Sequence, residues 1–145
     1  MNPLAHLEDW LEREHPGFAD DKKLHEQARA LSVAYTEGGA IADDAAASVA
    51  YLAHFGPRAV AAVSFAVAAG GSVVEHQVPS VCVDVGAGSG ASALALAARG
   101  AERVVLVERN AASIAIARKL LRGVVEVDVQ ASSLDKATPV DRAGL

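Results

Sequence analysis

The stretch Val81-Cys82-Val83-Asp84-Val85-Gly86-Ala87-Gly88-Ser89-Gly90-Ala91 decides how this chain folds. Its first five residues are a short β-branched run of the kind that forms a buried parallel strand. Three glycines at alternate positions follow, and Ala91 to Arg99 then reads as a helix. A strand that passes directly into a helix needs a tight turn. Glycine tolerates positive φ there and offers no Cβ to collide with a ligand. The helix beyond presents unpaired N–H groups and the positive end of its dipole at the same turn. Such a turn suits a pyrophosphate or a carboxylate.

Downstream, Arg103 to Val107 reads as a second strand. Asn110 caps a helix predicted to run to Arg122, with Ile114, Ala117, Leu120 and Leu121 facing inward, and Gly123 ends it. Val124 to Val129 is a third strand, and residues 130–145 read as a loop. Strand, helix, strand, helix, strand is the grammar of a parallel sheet with right-handed crossovers.

Upstream, the first 79 residues read as helical. Leu4, Leu7 and Leu11, with Trp10 beside them, recur at helical spacing up to about His15, where Pro16-Gly17 stops the run. Asp20 or Asp21 caps a second helix with Leu24, Ala28, Leu31 and Tyr35 on one face, ended by Gly38-Gly39. Asp43 or Asp44 opens a third, Ala45 to Phe55. Gly56-Pro57 is expected to break the chain, with Pro57 in the first turn of a fourth helix that ends at Gly70-Gly71. The fold class is therefore α/β: a helical lead-in or cap over 1–79, then an incomplete parallel-sheet domain over 80–145.

The chain has 145 residues, 52% of them hydrophobic and only 4% aromatic, enough for one core built mainly from Ala, Val and Leu. The net charge of -5 disfavours a stand-alone nucleic-acid binder, and the acidic excess lies in the first 79 residues. Arg118, Lys119 and Arg122 form one basic cluster, at a helix end where cations are favourable in any case. The single Cys82 excludes an internal disulfide and reads as a small core residue. His6, His15, His25, His54 and His76 are scattered, so no metal site is expected. Tyr35 and Tyr51 sit among apolar neighbours and read as core packing. The N-terminus lacks the basic and apolar regions of a leader, and Ala59 to Ala69 is too short to span a bilayer. A soluble cytoplasmic setting, away from membranes, is the expectation.

Two ligand classes compete for the glycine turn. Gly86-x-Gly88-x-x-Ala91 satisfies the dinucleotide fingerprint, with Glu108 about 20 residues on. The same stretch fits Asp-x-Gly-x-Gly-x-Gly, which adds Asp84 and Gly90. A carboxylate at the end of a buried strand is costly unless it has a role. Beside a cationic ligand Asp84 gains one, directly or by bracing the loop; beside a pyrophosphate it is unwelcome. This favours S-adenosylmethionine over a dinucleotide cofactor. The expected contacts are Asp84, the loop Gly86, Ala87, Gly88, Ser89 and Gly90, then Glu108 on the ribose hydroxyls and Arg109 against the adenine face. An acid in Ser132-Ser133-Leu134-Asp135 is placed to meet the adenine amino group. No catalytic residue is assigned.

Val81 to Glu108 resembles motif I and the acidic end of the second strand of class I methyltransferases, a resemblance that covers about residues 80–135. Ala50 to Val63, with its Tyr-Leu start and proline before an Ala/Val-rich segment, is similar to the lead-in of the methyltransferase-like family associated with the small ribosomal subunit. Val60 and His54 depart from that pattern, which has an aromatic and a base there. The resemblance implies a Rossmann-like fold of which this chain holds strands 1–3, and a role in rRNA methylation or subunit assembly. It also implies a fragment or half of an assembly, since the strand that faces the methyl group comes later in that fold. The first strand would then carry an open apolar edge available for self-association. The competing functions are a non-catalytic ribosome-assembly scaffold that retains the cofactor fold, and a fragment of a dinucleotide-dependent oxidoreductase.

Overall fold

Asn2 accepts hydrogen bonds from the amides of Leu4 and Ala5 and so starts the first helix, α1 (Pro3–Glu14). Asp21 caps α2 (Lys22–Glu37) in the same way, and Gly38, at φ +73°, closes it. A long helix α3 (Ala45–Gly70) follows. Then come β1 (Val81–Val85), α4 (Ala91–Ala98), β2 (Arg103–Val107), α5 (Ala111–Leu120) and β3 (Glu126–Gln130). This computed structural model describes residues 1–38, 44–70, 78–133 and 136.

The expected break at Gly56-Pro57 does not occur: α3 is one helix of 26 residues with Pro57 inside it. A proline within a helix removes one backbone hydrogen bond and crowds the preceding turn. What holds the helix through that defect is burial on both sides of it, from Ala47 to Leu52 and again at Val60. Gly56 is a packing residue. A Cβ there would stand 3.1 Å from both Leu52 Cδ1 and Leu7 Cδ2, so its absence lets α1 lie against α3. The fused helix is long and apolar enough to cross a membrane by length and composition, unlike the Ala59–Ala69 segment taken alone. Its first half is core; beyond Val60 it grows exposed, with Phe65 75% accessible.

The three strands are parallel in the order β1-β2-β3, with Val81 opposite Arg103 and Arg103 opposite Glu126. The helical lead-in followed by this three-stranded parallel sheet is the partial Rossmann-like architecture that the sequence predicts. β1 and β2 have the predicted bounds. β3 starts two residues later than predicted, because 121–124 form a turn that closes α5 at Leu120 and not at Arg122. Within α5 it is Ile116, not Ile114, that is buried with Ala117 and Leu120. Cys82 is half-buried; its thiol donates to the Pro79 carbonyl, and burial pushes its pKa up.

One core runs from Leu7, Trp10 and Leu11 through Leu52 and Val60 to Leu94, Leu106, Leu120 and Leu121. The lead-in and the sheet domain therefore share it. Right-handed crossovers between neighbouring parallel strands place α4 and α5 on one face of the sheet. Val104 and Leu106 are fully buried toward that face. On the opposite face Val83 and Val85 are 45% and 50% exposed, next to the Arg103–Asp128 ion pair that joins β2 to β3. The Arg103 Nε donates to Asp128 Oδ2 at 2.6 Å.

Candidate functional site

The turn after β1 is pinned by β2. The amides of Gly86 and Ala87 both donate to the Val107 carbonyl, at 2.9 and 3.3 Å, and Gly90 donates to Ala87 at 2.9 Å. Gly86, Gly88 and Gly90 have φ of +68°, +51° and +88°, a region side chains rarely enter. The three glycines nonetheless do different things. A Cβ at Gly86 would meet nothing within 4 Å, and one at Gly88 only the Gly86 oxygen at 4.0 Å. Those two leave open space for a ligand. A Cβ at Gly90 would stand 3.0 Å from Ala117 Cβ and 3.4 Å from Leu121 Cδ1. Gly90 thus serves the packing of α4 on α5.

Asp84 points to the helical face of the sheet and accepts a hydrogen bond from the Ala93 amide. Gly90, the N-cap of α4, has no side chain to cap the helix, so a carboxylate from the neighbouring strand takes that position. Its second oxygen, Oδ2, is buried without a partner. Burial raises its pKa to about 6, with the Ala93 hydrogen bond opposing and the charge of Glu108 adding. Of the two roles considered for Asp84, bracing the loop is the one with a contact in the structure.

Glu108 stands at the tip of β2. Its Oε2 accepts from the Gly88 amide and its Oε1 from the amides of Arg109 and Asn110, all at 2.8 Å. The carboxylate therefore clamps the glycine turn to the start of α5 and keeps further lone pairs for other donors. Asn110 caps α5 by accepting from the Ser113 amide at 3.0 Å.

A cleft opens over these groups. Gly86 to Ser89, Ala91 and Ser92 form its floor; Glu108, Arg109 and Asn110 form one side. Leu31, Tyr35, Ser48 and Tyr51 of α2 and α3 form the other. The Ser89 hydroxyl donates to the Ser48 carbonyl at 3.3 Å, and the Ser48 and Ser113 hydroxyls meet at 3.1 Å. Ser89 thus turns its side chain away as a strut to α3, although it lines the cleft. The α3 wall was not read from the sequence. The available signal was Ser48 and Tyr51, polar groups inside an otherwise apolar run. Tyr51 is half-buried and packs against the core as expected, whereas Tyr35 is 55% exposed and does not. Arg109 is exposed at the rim. Of the serine-rich segment after β3, Leu134 and Asp135 lie outside the described residues, while the Ser132 hydroxyl is buried without a partner. Among the described residues no group of three or more His, Cys, Asp or Glu converges on a metal-sized space.

Residues 83–142 match the family model described as a methyltransferase domain. The match begins inside β1 and takes in the glycine turn and Glu108. No curated protein matches the chain.

Proposed function

We propose that the cleft binds S-adenosylmethionine and that this chain is the cofactor-binding part of a methyltransferase. The observation that carries this is the Glu108 carboxylate clamped against a glycine turn whose first residue opens to the cleft. The residues fit the group. Gly86 and Gly88 admit close backbone approach. The N-termini of α4 and α5 converge there and favour a carboxylate. Glu108 has acceptor capacity left for a ribose diol. Arg109 at the rim is placed to lie against an adenine face. Once bound, such a ligand supplies an activated methyl on sulfur. The chain's own part is to hold and orient it, and no side chain described here is assigned a proton-transfer role.

A dinucleotide fits less well. Asp84 is a second acid just beneath the loop, and Arg109 is the only cation among the cleft-lining residues described. For the methyl acceptor, the likeness of Ala50–Val63 to the small-ribosomal-subunit family points to rRNA, or to subunit assembly, in a cytoplasmic setting. The open side of β1 suits self-association.

Calorimetric titration with S-adenosylmethionine, S-adenosylhomocysteine and NAD, together with the mass in solution, tests the reading. Micromolar binding of the adenosyl ligands without NAD binding is expected. Binding of NAD alone would hand the site to the oxidoreductase reading. Methyl transfer to isolated small ribosomal subunits then separates an enzyme from a scaffold that binds the ligand without turning it over.

A further inference from the structure

We infer that the outer half of α3 in one copy of this chain docks on the bare apolar strip of β1 in a second copy, so that copies join helix to sheet. The inference deepens the self-association read from the open side of β1 by naming the surface that meets it. Parallel sheets occur with helices over both of their faces. Among the described residues α4 and α5 cover one face, and on the other Val83 and Val85 stand 45% and 50% exposed. The same molecule carries a helix with the converse defect. From Ala59 to Gly70 α3 has no charged side chain, yet beyond Val60 much of it faces solvent, and Phe65 is 75% exposed. Ala61, Ala62, Phe65 and Ala69 fall on one side of the helix at its period, and all four are exposed.

The two surfaces match in length and in charge. The helical stretch from Ala59 to Gly70 spans about 18 Å at a rise of about 1.5 Å per residue. The five-residue strand β1 spans about 17 Å. Arg58, exposed, begins the apolar stripe on the same side of α3. On the sheet face Arg103 meets two acids, Asp128 through an ion pair and Glu126 as its neighbour in the register, so one acid is left over. Arg58 supplies the balancing charge at the rim of the contact, Phe65 supplies the large apolar side chain, and the alanines around it let helix and strand approach closely. α3 packs on α4 and α5, on the far side of the sheet from Val83 and Val85. Each copy thus presents the two halves of the contact on opposite sides. A head-to-tail contact of that kind grows into rings or stacks, whereas two β1 strips meeting each other would stop at a two-fold pair.

Sedimentation velocity over a concentration series compares wild type, Phe65→Lys, and the double variant Val83→Lys with Val85→Lys. Wild type is expected to pass beyond the dimer as concentration rises. Each variant alone has lost one of the two surfaces and is expected to stay monomeric to at least about tenfold higher concentration. Mixed in equal amounts, the variants keep one intact surface each and are expected to form a one-to-one dimer that grows no further. Phe65→Lys that associates like wild type, or a mixture that stays monomeric, overturns the helix-to-strip contact while leaving self-association through β1 standing. A wild type that stays monomeric overturns both. If the valine variant fails to fold, Phe65→Lys, changed at an exposed side chain, decides the matter alone, with circular dichroism to show that its helices are kept.

Discussion

Asp84 lies beneath the glycine turn, where burial disfavours its charged form. Its folded pKa of about 6 lies above the ordinary aspartate value of 3.8, so the folded state holds the proton more tightly than the unfolded chain. The contribution is most favourable below the unfolded value and is lost as pH rises through about 6, a change of roughly 3 kcal/mol. Asp84→Asn is expected to flatten this slope, leaving the variant relatively more stable at pH 8 than at pH 4; urea melts at both values measure it. Asp84→Ala, which removes the brace on Ala93, is expected to abolish binding of adenosyl ligands in a calorimetric titration. The glycines separate in the same manner. Gly90→Ala forces a Cβ against Ala117 at positive φ and is expected to cost about 3 kcal/mol in a denaturant melt. Gly86→Ala meets no atom and should cost about 1–2 kcal/mol, from backbone strain alone, while weakening ligand.

Among the elements, α3 departs furthest from local expectation. Pro57 sits where it opposes the helix, and the burial of Leu52, Gly56 and Val60 overrides it. Pro57→Ala should restore the missing hydrogen bond and raise stability by about 1–3 kcal/mol, read from the urea midpoint. A helix that really broke there would instead lose stability on that change. Continuity has a consequence for the site. Ser48, near the cleft, and Ser64, whose carbonyl accepts from Arg99 at 3.3 Å, lie on one rod, so α3 is fastened at both ends of α4.

For the whole molecule, one core joins the helical lead-in to the sheet, and the cleft lies where they meet. The sheet is finished on the helical side only, as far as the described residues go. Val83 and Val85 remain half exposed on the other face of its edge strand. Exposed apolar strands of that kind favour pairing. Sedimentation of the wild type should show a mass that rises with concentration, and Val83→Lys with Val85→Lys should hold the chain monomeric. A wild type that stays monomeric at all concentrations would remove self-association from the reading.

The sequence by itself determined the alternation of strand and helix from Val81 onward, including the bounds of β1 and β2, because β-branched runs bounded by glycine and Asn110 are local signals. It also pointed to the Gly86–Gly90 turn and Glu108 together, two features that the fold brings into one cleft. Tertiary structure decided the rest. Whether Gly56-Pro57 breaks a helix depended on Leu7, which is 49 positions before Gly56 and lies against it. That Gly90 has to lack a Cβ for packing depended on Ala117. The wall of Ser48, Tyr35 and Tyr51 became part of the site only when α3 was laid across the turn by hydrogen bonds to Ser89 and Ser113. Each of these choices rests on a contact between residues far apart in the chain, and a local pattern carries no record of such contacts.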